Sequence, residues 1–278
     1  MRGRPHPWNL SFRWEDHQPP FRHLTAAQAA QFDDQGFVVL EDVFDPGQVA
    51  AVRQEIDEHE ARSEAVLRQQ AGERIAIAEA GAITFTTHLV ARSPRLRAFS
   101  TEPVFIDLCL DLVGPDVNLY WDQAVYKKPE KPRRFPWHQD NGYAFVEPQQ
   151  YLTCWMALTD ATIDNGCPQV APGRHRGGTL VHTYVDPLGF ECFPDADDAV
   201  AAPVGAGGVV VFSSLTPHLT GPNTTGAVRK AYILQYAPAG ARVQHGDPTA
   251  GPPTGETAAN DPARQYPATR DGRPAAAL

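Results

Sequence analysis

Between residues 117 and 237 the chain reads as short alternating apolar stretches punctuated by Gly, Pro, Asn and Asp, and this pattern limits the possible folds more than any other feature. Strands are expected over 118–127, 136–140, 152–159, 169–171, 207–213 and 229–236. The first third has a different period. Thr25-Ala26-Ala27-Gln28 has the form of a capping box, opening a helix that should end near Gly36, where Phe37-Val38-Val39-Leu40 begins a strand. Asp45-Pro46 offers an N-cap followed by proline, and Val49, Val52 and Ile56 then mark one face of a helix running to about Gln70. Ser93-Pro94 and Thr101-Glu102-Pro103 introduce two shorter helices. Helices first and strands later predict an α+β domain in which helices buttress a sheet or barrel.

A chain of 278 residues can bury a large core, and β-rich domains of this size commonly form one unit. The expected organisation is a flexible arm over 1–22, one domain over 23–242, and a flexible Pro/Gly/Ala-rich tail over 243–278. Trp8, Phe12 and Trp14 could pin the arm. Lys and Arg total 24 against 33 Asp and Glu, which argues against a surface built to hold nucleic-acid phosphates. No apolar run reaches the length of a membrane span and the N-terminus lacks the apolar core of a signal peptide, so the expectation is a cytoplasmic protein with no membrane partner. The four cysteines form no Cys-x-x-Cys pair, which indicates neither a zinc site nor a disulfide framework, and Cys109 and Cys154 in apolar runs read as small core residues. Oligomeric state has no signature here.

Within the strand-rich part, His138-Gln139-Asp140 stands out. On an extended strand alternate side chains share a face, so His138 and Asp140 converge while Gln139 points away. A third ligand is available in His218, just after the apolar run Gly208-Val209-Val210-Val211-Phe212. Two histidines and one carboxylate on a single face leave three coordination positions open, the arrangement of non-haem Fe(II) oxygenases. A second His-x-Asp at His245-Gly246-Asp247 serves as a control: it has no strand signal and no later histidine, and reads as solvated loop. His175 is expected to shape a loop, and His88 and His182 fall at an expected cavity rim. Phe145, Tyr151, Tyr184 and Phe190 suggest apolar cavity walls.

Several stretches together resemble the phytanoyl-CoA dioxygenase-like Fe(II)/2-oxoglutarate oxygenases. They are Gln35–Leu40, Trp137-His138-Gln139-Asp140, Leu152–Leu158 leading into Asp164-Asn165-Gly166-Cys167-Pro168, Pro172-Gly173-Arg174-His175, and His218-Leu219-Thr220-Gly221-Pro222-Asn223 with Arg229 beyond. The resemblance covers roughly 25–240. It implies a double-stranded β-helix (jelly-roll, cupin-like) core and a dioxygenase that uses Fe(II), 2-oxoglutarate and O2, releases succinate and CO2, and hydroxylates a small organic molecule such as a secondary metabolite. It carries the metal ligands onto His138, Asp140 and His218, and the 2-oxoglutarate anchor onto Arg229, whose guanidinium can grip a carboxylate through two parallel hydrogen bonds. Trp155, Thr220 and Gln139 are the further cosubstrate contacts. Relatives often place a lysine near 83–86; here Thr84 or Thr86 is expected to substitute. Halogenating relatives lack the carboxylate ligand, so Asp140 favours hydroxylation. Two other readings keep the barrel: a zinc-dependent hydrolase or isomerase on the same ligands, and a non-catalytic small-molecule-binding module.

Overall fold

A computed structural model describes residues 3–275. Its helices form where the capping signals place them. Helix α1 (Ala26–Gln35) starts with a reciprocal Thr25/Gln28 box, and Gly36 ends it with φ 84°. A side chain there would also collide with the His175 ring, 2.5 Å from an added Cβ, so glycine is required twice over. Strand β1 (Phe37–Leu40) follows. Helix α2 (Pro46–Arg68) is capped by Asp45 and Gln48 in the same reciprocal way. After β2 (Ile83–Thr87), α3 (Pro94–Phe99) and α4 (Pro103–Leu112) complete the helical layer.

The remaining core strands are β3 (Val117–Lys127), β4 (Phe135–His138), β5 (Leu152–Ala157), β6 (Pro168–Val170), β7 (Val209–Ser213), β8 (His218–Thr220) and β9 (Arg229–Pro238). The larger sheet runs β1-β7-β5-β9-β3-β2, every pairing antiparallel. The smaller runs from Val200–Ala201 through β6 and β8 to β4. One apolar cluster takes Val125, Trp155, Phe212 and Ile233 from the large sheet and Phe135 and Val170 from the small one, so it fills the space between them. The alternate residues, among them Cys154, Met156, Val211, Tyr232 and Leu234, face the other way and pack with Ile56, Leu108 and Phe105 of the helices. This is the jelly roll buttressed by helices that the resemblance implies.

Two sequence expectations are corrected. The arm and tail expected over 1–22 and 243–278 extend into residues 1–2 and 276–278, which lie outside the described residues. The rest of both segments is laid against the body. Backbone hydrogen bonds join His6 to Thr179 and Val181 to Arg4; Trp8 Nε1 donates to Gly251 O at 2.7 Å, and Trp14 Nε1 donates to Asp33 Oδ1 at 3.2 Å. C-terminally, Arg242–His245 pairs with Gly255–Ala258, and Pro267–Arg270 pairs with β3. Ala268 and Thr269 are fully buried. Composition missed this because the pairing is with a distant edge strand, which needs only a few buried residues per segment. His245 therefore lies on a strand, exposed and bonded to Thr257 Oγ1, apart from any metal-type cluster.

Candidate active site

Strand β4 ends at His138, two residues earlier than expected, because Asp140-Asn141-Gly142 forms a 3-10 turn. Gln139 stays extended (φ −108°, ψ 145°), so the alternation survives and Asp140 still returns to the face of His138. Strand β8 lies beside β4 with His218 directly opposite His138, the ring centroids 4.1 Å apart. The ligand-type atoms of His138, Asp140 and His218 lie within 4.8 Å of one another, the only such cluster among the described residues. His138 Nε2 and His218 Nε2 are 3.9 and 4.0 Å from Asp140 Oδ1.

The surrounding hydrogen bonds suit a cation. His138 Nδ1 lies 2.8 Å from Pro136 O and His218 Nδ1 lies 3.0 Å from Thr216 O. A carbonyl only accepts, so each Nδ1 carries the hydrogen and each Nε2 keeps its lone pair for the shared point. Burial pushes the His138 imidazole well below its ordinary value, and His218 pushes it further. Asp140 is raised by burial, against the opposing effects of His218, Thr153 and Gln235. Thr153 Oγ1 donates to Asp140 Oδ2 at 2.5 Å, leaving Oδ1 facing the histidines. Two imidazoles with their Nε2 atoms turned to one point and one interior carboxylate form a donor set that fits a divalent metal with open positions.

Beyond the cluster the cavity continues between the sheets to Arg229, which is 1% exposed. Its guanidinium lies over the Trp155 ring, 5.1 Å from the centroid, and Nη1 donates to Val125 O at 3.3 Å. Nε and Nη2 are buried without a partner. Burial pushes this group down to about 9, still charged at neutral pH. A buried guanidinium with two idle donors is costly unless a carboxylate completes it. Thr220 and Trp155 line the same compartment as Arg229, as the resemblance implies.

Two assigned contacts do not reach it. The Gln139 amide turns to the opposite face, giving its Nε2 hydrogens to Gly178 O and Leu215 O and accepting from Leu180 N. It joins loops behind the site. Thr84 and Thr86 point out of the barrel: Thr84 Oγ1 donates to Glu60 Oε1 of α2 at 2.7 Å, while Ile83 and Phe85 take the inward positions of β2. Lys127, which the sequence suggests is an edge charge, is fully buried across from Ile83 and Arg229. Its ammonium donates to the carbonyls of Arg133, Thr220 and Gly221, bolting the turn after His218 to β3. His175 is buried against Trp14 with Nε2 donating to Asp33 O, so it shapes the fold as expected. His182 Nε2 accepts from Gln139 N, and His88 stacks edge-on to Trp121. The sequence reading missed Thr153 and Gln235, although stepping back by two from Trp155 finds the first, and counting forward in twos from Arg229 through Ala231 and Ile233 finds the second.

A second compartment of about 450 Å³ opens on the outer side of the metal cluster, sharing with the inner one Phe85, Gln123, Phe135, His138 and Asp140. A jelly roll with two histidines and a carboxylate at the meeting of its sheets, open on one side to a buried arginine and on the other to a cavity, defines the mononuclear non-haem iron oxygenase class. The chain belongs to the phytanoyl-CoA dioxygenase (PhyH) family, whose sequence profile matches residues 32–231, and it is an Fe/2-oxoglutarate dioxygenase. It is 30% identical over 162 residues to a probable phytanoyl-CoA dioxygenase of Caenorhabditis elegans, a match covering 53% of this chain and 52% of that protein. The chain thus spans about half the length of that relative. Among solved structures it is similar to EctD from S. alaskensis with 2-oxoglutarate and 5-hydroxyectoine (25% identity, TM-score 0.63, 88% of this chain and 85% of that one). It also shares its fold with the carbocyclase SnoK from nogalamycin biosynthesis (24% identity, TM-score 0.65, 79% and 86%).

Proposed function

We propose that this protein hydroxylates a small organic molecule, such as a secondary metabolite, in the cytoplasm, with conversion of 2-oxoglutarate to succinate and CO2. The observation carrying this reading is Arg229: an interior cation with two unused donors, across one continuous cavity from His138, Asp140 and His218. In this reading the three side chains hold ferrous iron, which when bound supplies the redox chemistry with O2 that side chains lack. Arg229 grips the distal carboxylate of 2-oxoglutarate, with Thr220 as a second donor, and so fixes the cosubstrate relative to the ligands. Trp155 and Phe212 exclude water from that compartment. Thr153 holds one oxygen of Asp140 so that the other stays on the metal side, and Gln235 bonds to the same carboxylate.

Calorimetric titration of Fe(II)-loaded protein with 2-oxoglutarate under anaerobic conditions tests the reading. Arg229→Leu should weaken 2-oxoglutarate roughly 10- to 100-fold, the worth of one or two hydrogen bonds between charged groups, with bound iron unchanged. Absence of any 2-oxoglutarate binding by the iron-loaded wild type would refute it.

A further inference from the structure

The polarity of the outer cavity and its mouth narrows the substrate class. Eight large apolar side chains are exposed among the described residues, and four of them, Ile75, Tyr143, Tyr184 and Phe190, gather at this one opening. Their rings form a row from the metal cluster to the surface. Phe135 lies 4.7 Å from the His138 ring, Tyr143 stacks on Phe135 at 6.3 Å, Phe190 meets Tyr143 at 5.3 Å, and Tyr184 meets Phe190 at 5.5 Å. A concentration of exposed rings continuous with a cavity marks a ligand-binding surface rather than ordinary surface scatter.

Charge points the same way. No lysine or arginine lines the outer cavity. The arginines near its mouth are each held by a carboxylate: Arg74 by Asp186 at 3.1 Å, Arg133 by Glu79 at 3.0 Å and Arg134 by Glu191 at 2.7 Å. An anionic group entering here would lose water and meet arginines already paired with carboxylates, of which Arg134 keeps one buried nitrogen, Nη1, without a partner. Gln123 lies at the boundary of the two compartments, beside the metal cluster, and its amide has no hydrogen-bond partner among the described residues.

We propose that the substrate is an uncharged, flat, multi-ring molecule bearing a carbonyl or hydroxyl oxygen. Its reacting ring fills the cavity beside the metal cluster, the Gln123 amide reads its oxygen, and an outer ring rests on Phe190 and Tyr184. This rests on the oxygenase reading above. It sets the protein apart from an enzyme for acyl-CoA or phosphonate substrates, whose charges need a cationic seat. The nearest such seat is the hollow under α2, where Arg62 and Arg92 share the walls Ile75, Ala78 and Phe85 with the cavity.

The test uses the whole chain loaded with Fe(II) and 2-oxoglutarate, without O2, titrated calorimetrically with neutral ring ketones (flavanone, chromone, α-tetralone), with naphthoate and with decanoyl-CoA. At least one neutral ketone should bind and the two anions should not. Phe190→Ser should weaken that ketone roughly tenfold, the loss of one aromatic contact, whereas Ile163→Ser, also an exposed apolar side chain but outside the lining of the cavity, should not. Gln123→Leu should abolish the preference for α-tetralone over its parent hydrocarbon tetralin. Refusal of every neutral probe overturns the proposal, as does tighter binding of either anion that is lost in Arg62→Ala or Arg92→Ala. The 2-oxoglutarate titration of the same preparation separates the two failures: if the cosubstrate binds and the ketones do not, only the substrate class falls.

Discussion

At the scale of single residues, the site depends on groups that never touch the metal position. Thr153 and the carbonyls of Pro136 and Thr216 set which oxygen of Asp140 and which nitrogen of each histidine face the shared point. Thr153→Val keeps the shape and removes the hydroxyl, freeing Asp140 to turn. Iron affinity, measured by chelator competition, should fall roughly tenfold or more, the usual cost of losing a support of a metal ligand. Thr84→Val is the contrasting case. Its hydroxyl serves Glu60 outside the barrel, so the variant should lose thermal stability and keep its 2-oxoglutarate affinity. Period-two counting within a strand was enough to put His138 and Asp140 on one face, while Trp155 and Arg229 were expected only from the family resemblance. Counting could not give the inward face of β2, because Ile83-Thr84-Phe85-Thr86 alternates equally well in either register.

At the scale of elements, antiparallel pairing does what sequence distance conceals. Arg229 begins β9 opposite Lys127 of β3, and Ile233 lies opposite Trp155 of β5, so three neighbouring strands of one sheet bring Arg229, Val125 and Trp155 to the inner compartment. The metal cluster comes from the other sheet, on β4 and β8. The helical layer holds this arrangement in place, and its clearest local signal is the cap of α2. Asp45→Ala removes the acceptor for Gln48 N. The expected loss is about 1 kcal/mol, a fall of roughly 2–4 °C in the melting temperature on differential scanning calorimetry, with metal content unchanged.

Across the whole molecule, the two terminal segments close the structure. Pro267–Arg270 covers the edge of β3, and Gln265 Nε2 donates to Tyr120 O beside the outer cavity. Truncation after residue 258 should expose that edge, lower the melting temperature and promote aggregation detectable by light scattering. Acid sensitivity also belongs to this scale. Burial holds His175 and His182 at about 4 in the folded protein, against about 6.5 when unfolded. Between those values the unfolded chain binds the extra protons, so stability falls as pH drops through 6.5 and levels off below about 4. The loss is roughly 3 kcal/mol for the fully buried His175 and less for the partly exposed His182. Urea midpoints measured from pH 7 to pH 4 should show this slope, and His175→Gln should reduce it.

The amino-acid sequence by itself determined the order of helices and strands, the capping box of α1, the capped start of α2, and the His138/Asp140 pair with His218 as a third candidate ligand, while Arg229 was read from the family resemblance. The first four are written in local spacing and in chemistry that few side chains possess. Only the tertiary structure decided that Gln139 and Thr84 turn away from the cavity, that Lys127 spends its charge on three carbonyls, that the last strands pack on β3, and that the exposed rings collect at one opening. Those outcomes depend on which distant strands become neighbours, and pairing across more than a hundred residues leaves no period in the sequence to read.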